Sequence, residues 1–231
     1  MITRYCYLHA LEFPGYGCET AIIASLKDKK WRGIHCPYDI LSLCVPDWIT
    51  MHGRLHSRVR VKIINGIQCC GPYNSLIYFD VVSEKFHMFP IPDTVSEKID
   101  QFQIPKLENA IVGLGVLNGC LSMTYLDYCK DLEIWIMKEY GVKESWTSLF
   151  IIRNLEICHY YGLAKPLFMT KTGKIVLLLW SNGAKVVAYN PKYDSIRDFL
   201  VPSERESINA ITYVESLISP KEYYWNNYIH K

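Results

Sequence analysis

A sequence module that returns about every 54 residues constrains this chain more than any other feature. Asn65-Gly66, Asn118-Gly119 and Thr172-Gly173 each open a short apolar run, and their glycines stand 53 and 54 positions apart. Downstream of each comes a second apolar run, then a turn, then an apolar residue in a third run. These are Leu76 to Asp80 with Phe86, Leu132 to Ile136 with Trp146, and Val186 to Tyr189 with Ile196. An incomplete earlier copy, Ala21 to Leu26 with Trp31, precedes them. Repeats of about 40 to 50 residues that hold several strands each are the mark of a β-propeller. The expectation is an all-β fold: a partial β-propeller of about four blades built from short antiparallel sheets.

The apolar pattern agrees. No long window carries a sustained helical period; runs of four to seven apolar residues end at Gly, Pro, Asn, Asp or Lys, which reads as strands. Ile175 to Trp180 is apolar on both faces. A strand with one face in water alternates, whereas a strand covered on both sides does not, so stacked sheets are expected. Asn65-Gly66 and Asn118-Gly119 supply residues that tolerate positive φ in tight hairpins. Asn190 to Asp194 and Ser83 to Lys85 read as polar turns before outer strands, and Pro90, Pro92 and Pro202 as places where outer strands end. In the polar stretch Asp93 to Leu107, Ser96 to Phe102 is expected to form one helical turn. Residues 1–20 read as an N-terminal strand or extension, 21–220 as the repeat domain and 221–231 as a tail.

The chain has 231 residues, enough for a sizeable core, and half are hydrophobic; 17 Tyr and 6 Trp argue against disorder. A net charge of +2 gives no footprint for nucleic acid. Nine cysteines lack framework spacing, no Asn-x-Ser/Thr acceptor occurs, and no apolar run approaches a membrane span. A reducing cytoplasmic or nuclear setting is expected, with no membrane partner.

One local concentration of charge stands out: His52, Arg54, His56, Arg58, Arg60 and Lys62 lie within eleven residues. It reads as a solvated loop and edge strand, with Arg54, Arg58 and Arg60 the surface candidates for partner binding. His52 and His56 have metal-ligand spacing only on a helix and no third ligand nearby, so neither metal nor cofactor is expected. Gly113 to Gly119 has the wrong glycine spacing for a dinucleotide loop and opens a strand. Glu139, Glu144, Asp194 and Asp198 sit in polar turns, no nucleophile context exists, and an enzyme on this scaffold finds no support. Trp31, Phe86 and Trp146 hold equivalent places and are expected to be core between neighbouring sheets.

Several segments in order resemble the F-box-associated, kelch-like β-propeller domain of plant F-box proteins. They are Lys29 to Ile34, Val61 to Gly66, the block Leu132 to Thr147 containing Glu139-Tyr140-Gly141 and Glu144-Ser145-Trp146, Lys165-Pro166-Leu167 with Gly173-Lys174, and Thr212 to Leu217. Cys69-Cys70 departs from the family pattern, which has His-Trp there. The resemblance implies a non-enzymatic module that holds a target protein for a cullin-based (SCF) ubiquitin ligase. No counterpart of an F-box precedes Ala21, so adaptor binding is not expected of this chain. A truncated or degenerate fragment without ligase function is the competing expectation.

Overall fold

The computed structural model describes residues 9–10, 20–25, 30–36, 38, 48–59, 75–100, 110–127, 131–153, 163–180 and 184–199. These form four antiparallel sheets, each a meander in chain order. Sheet one has β1 (His9–Ala10), β2 (Thr20–Ser25) and β3 (Lys30–His35). Sheet two has β4 (Ile49–Met51), β5 (Arg54–Val59), β6 (Ser75–Asp80) and β7 (Lys85–Phe89). A helix, α1 (Asp93–Asp100), leads to sheet three: β8 (Ala110–Leu117), β9 (Cys120–Leu126), β10 (Leu132–Met137) and β11 (Trp146–Ile152). Sheet four has β12 (Leu163–Met169), β13 (Ile175–Trp180), β14 (Ala184–Asn190) and β15 (Ser195–Phe199). A propeller-type stack of small sheets, as the repeat requires, is what the chain forms.

The apolar faces explain the stacking order. Ile34 and Cys36 meet Val59, Ile77 and Phe86 between sheets one and two. Leu76 and Phe89 of sheet two pack with Leu114, Leu121, Met123 and Tyr125 of sheet three, and Val95 of α1 joins them. The other face of sheet three, with Leu126, Leu132, Ile134 and Ile152, receives Ile175, Leu177 and Leu179 of β13. The alternate β13 residues, Val176 and Leu178, are buried on the opposite face with Leu163 and Leu167. Each such aliphatic side chain contributes about 1.5–3 kcal/mol when it leaves water. That two-sided burial is the cause of the unbroken apolar run.

Sheets three and four approach closely where β8 lies against β12, because two glycines leave room. A Cβ on Gly113 would collide with the carbonyl of Ala164, and one on Gly115 with the carbonyl of Pro166. Thr124, paired with Gly113 in the sheet, donates its hydroxyl to that same Ala164 carbonyl at 2.6 Å. The first two glycines of the rejected dinucleotide motif, Gly113 and Gly115, are therefore backbone-contact positions.

Local signals explain most turns. Asn118 and Gly119 both have positive φ, 50° and 78°, and join β8 to β9. The hairpin expected at Asn65-Gly66 lies outside the described residues. The described hairpin between β4 and β5 turns at His52 (φ 49°) and Gly53 (φ 73°). Helix α1 begins three residues earlier than expected: the carbonyl of Pro92 accepts from the N–H groups of Val95 and Ser96, and Asp93 favours the positive N-terminal end. Pro92, read as a strand terminator, also leads directly into the helix. Trp31, Phe86 and Trp146 all stand at the openings of outer strands, paired with Ala24, Phe79 and Met137. Their burial nevertheless differs: Trp146 is 7% exposed, Phe86 is partly buried, and Trp31 is 67% exposed. The expectation of core at Trp31 is corrected, because an outer strand stands at the rim and its cover depends on what the neighbouring sheet brings to it.

Candidate functional site

The basic stretch resolves into residues with opposite roles. Strand β5 is an inner strand flanked by β4 and β6, so its later residues are buried and the solvated-loop reading is corrected. Arg58 is 8% exposed and donates from Nη1 to the carbonyl of Ile111, 2.9 Å away on β8. It ties sheet two to sheet three and is not part of a surface cluster. Arg60 lies outside the described residues. Arg54, at the start of β5, remains on the surface with its side chain 37% exposed.

Around Arg54 gathers a set of rings from two sheets. Its guanidinium carbon lies 4.7 Å from the centre of the Tyr78 ring of β6 and 5.9 Å from that of Tyr140. Tyr140 comes from the turn between β10 and β11, directly before Gly141 at φ 83°. The Tyr140 hydroxyl beside the guanidinium is the main reason its pKa rises further. Arg54 Nε also lies 4.0 Å from Asp80 Oδ2. The other oxygen of Asp80 accepts from the N–H groups of Val82 and Ser83, 2.8 and 3.1 Å away. Those backbone bonds, that from Ser83 foremost, hold its carboxyl below the usual range.

Behind Tyr140 sits His56, 1% exposed. Its Nδ1 is 3.2 Å from the carbonyl of Ile49 and its Nε2 is 2.7 Å from the Tyr140 hydroxyl. A carbonyl only accepts, so Nδ1 carries the proton and Nε2 receives the Tyr140 O–H. One ordered chain thus runs from Tyr140 through His56 to Ile49, with Arg54 near its outer end. Burial lowers the His56 pKa to about 4 and raises that of Tyr140. At neutral pH the imidazole is neutral, the phenol protonated and the guanidinium charged.

Two more rings complete the surface. His52 leans on Tyr140 with centroids 4.4 Å apart, and His87 stacks on Tyr78 at 5.0 Å and 19°. His52 and His56 thus both meet Tyr140. Among the described residues no three His, Cys, Asp or Glu side chains converge as metal ligands do. The arrangement offers a fixed cation, aromatic faces and N–H donors, which is recognition chemistry. Sequence reasoning found Arg54 but missed Tyr78, His87 and Tyr140. The available signal was Tyr140-Gly141, an aromatic residue placed before a glycine in a turn.

Stacked four-stranded sheets with an aromatic and cationic surface at their turns define an interaction module of the propeller class. Residues 19–216 match the F-box associated beta propeller domain, and the chain belongs to that family. Relatives carry the same association. It is 27% identical to the F-box protein CPR1 of Arabidopsis thaliana over 63% of this chain and 33% of that protein. It is 22% identical to F-box protein At4g22390 of the same plant over 85% of this chain and 47% of that protein. With F-box protein At3g07870, also from Arabidopsis thaliana, identity is 32% over 65% of this chain and 36% of that protein. The matches span between a third and a half of the length of these curated relatives. The family is one of F-box-associated domains and not of enzymes. No helix among the described residues is long and apolar enough to cross a membrane.

Proposed function

We propose that this chain is the target-holding part of an F-box receptor for a cullin-based ubiquitin ligase, and that it works without catalysis or cofactor. The target seats on the turn surface shared by sheets two and three, around Arg54, Tyr78 and Tyr140. The observation that carries this reading is the pinned guanidinium. Arg54 is held by tyrosines from two different sheets yet stays more than a third exposed. Arg and Tyr dominate interface hot spots because they present large area at little entropic cost. Membership of the F-box-associated family supports the ligase setting. Adaptor contact belongs to an F-box segment, so residues 1–231 alone do not retain a Skp-type adaptor. The module works in the cytoplasm or nucleus, in keeping with the free thiol of Cys120.

The test is a chimera in which an F-box is fused ahead of this chain and protein turnover is measured across the proteome. A target whose half-life shortens with the wild-type fusion should regain its normal half-life with Arg54→Glu or Tyr140→Ala. Unchanged turnover with both variants would remove this surface from the account.

A further inference from the structure

Resting on that reading, we propose that Arg54, flanked by His52 and His87, forms a seat for a single oxyanion, a carboxylate or phosphoryl group carried by an acidic segment of the target. The guanidinium is a planar fork of five N–H donors. The rings of Tyr78 and Tyr140 hold it in place before any ligand arrives. Among the described residues the carboxylate that meets this fork is that of Asp80, and the contact is single, through Nε, at 4.0 Å. Asp80 meanwhile serves its own turn through Val82 and Ser83. A pinned, exposed guanidinium without a bidentate carboxylate has the geometry that planar oxyanions fill best.

The flanking groups suit the same ligand. His52 is exposed at the β4–β5 turn and rests on Tyr140, while His87 lies parallel to Tyr78. Both rings rest against the two tyrosines that frame Arg54. The aromatic faces exclude water from one side of the seat, which strengthens a charge-assisted hydrogen bond formed there. In the segment between β10 and β11 that carries Tyr140, Glu139 and Glu144 are balanced by Lys138 and Lys143, so the charge of the seat is that of Arg54 and suits one anionic group. The ligand is therefore a protein segment with an isolated acidic or phosphorylated residue.

The experiment follows the side-chain Nε–Hε signals of arginine in the 15N-labelled full chain at constant ionic strength. Sodium acetate and inorganic phosphate are titrated separately. Arg197, exposed on β15, is the internal reference for non-specific association. Arg54 should reach half-saturation at an anion concentration at least about tenfold lower than Arg197 does, a difference that reports a built site. Acetate acting at the lower concentration identifies a carboxylate seat, and phosphate a phosphoryl seat. Arg54→Lys keeps the charge but loses the fork, so the remaining shifts of His52 and His87 should need about tenfold more anion. If Arg54 and Arg197 titrate together with both anions, the seat does not exist. This outcome is separable from the turnover test: a target lost with Arg54→Glu in the absence of anion binding would overturn the oxyanion and leave the docking surface standing.

Discussion

The indole nitrogen of Trp146 donates to the carbonyl of Pro90 at 2.9 Å, fastening the first residue of β11 to the segment that leaves β7. The bond spans 56 residues of sequence and joins the outer strands of neighbouring sheets. Trp31 has the same place in its own sheet, yet most of its surface meets solvent.

The two tryptophans should therefore answer differently to substitution. Trp146→Ala should cost about 3–5 kcal/mol, since it empties a packed site and orphans a carbonyl. Trp146→Phe keeps much of the packing and should cost about 1 kcal/mol. Trp31→Ala should cost less than about 1 kcal/mol. Urea unfolding of the three variants measures all of this, and equal losses at Trp31 and Trp146 would contradict the stacking described.

The seam between β8 and β12 predicts an asymmetry among glycines. Gly113→Ala and Gly115→Ala push a methyl group into backbone carbonyls and should each destabilise by about 3 kcal/mol or prevent folding. Gly119→Ala meets open space, and its cost should be only the strain of φ 78°, about 1–2 kcal/mol. Thermal midpoints of the purified variants give the order directly.

His56 predicts a pH dependence of known sign. The unfolded chain takes up its imidazole proton near pH 6.5, the folded protein only near pH 4. Between those values the unfolded state binds more protons, so stability falls as pH drops from about 6.5 to about 4 and this loss levels off below. The total from this residue is about 3 kcal/mol. His56→Gln should be less stable at pH 7 by about 1–2 kcal/mol, with the gap closing as pH falls and the variant becoming the more stable of the two near pH 4. Urea midpoints of both proteins across that range would have to run parallel for the buried neutral histidine to be refuted.

Much of the fold is legible in the sequence because it rests on local signals. The two-sided apolar run Ile175 to Trp180 marks a covered strand, and Asn118-Gly119 marks a tight hairpin. What is not legible depends on partners distant along the chain. His56 and Arg58 are polar residues in a charged stretch, which reads as solvent-facing. They are buried because Tyr140 and the Ile111 carbonyl arrive from 84 and 53 residues away. Gly113 and Gly115 likewise acquire their meaning only when β12 lies against them. The candidate site follows this division: Arg54 is visible as a charge, whereas the tyrosines that hold it come together only in the fold.

Where the partner sits is the central question, and a photo-crosslinking amino acid placed at two positions addresses it most directly. Position 52 borders the Arg54 seat, and position 199 lies on exposed β15, in a different sheet. In cells expressing the F-box fusion, light should attach to position 52 a protein whose half-life the fusion shortens, and position 199 should not yield that adduct. The same protein captured from position 199 and absent at position 52 would contradict the account.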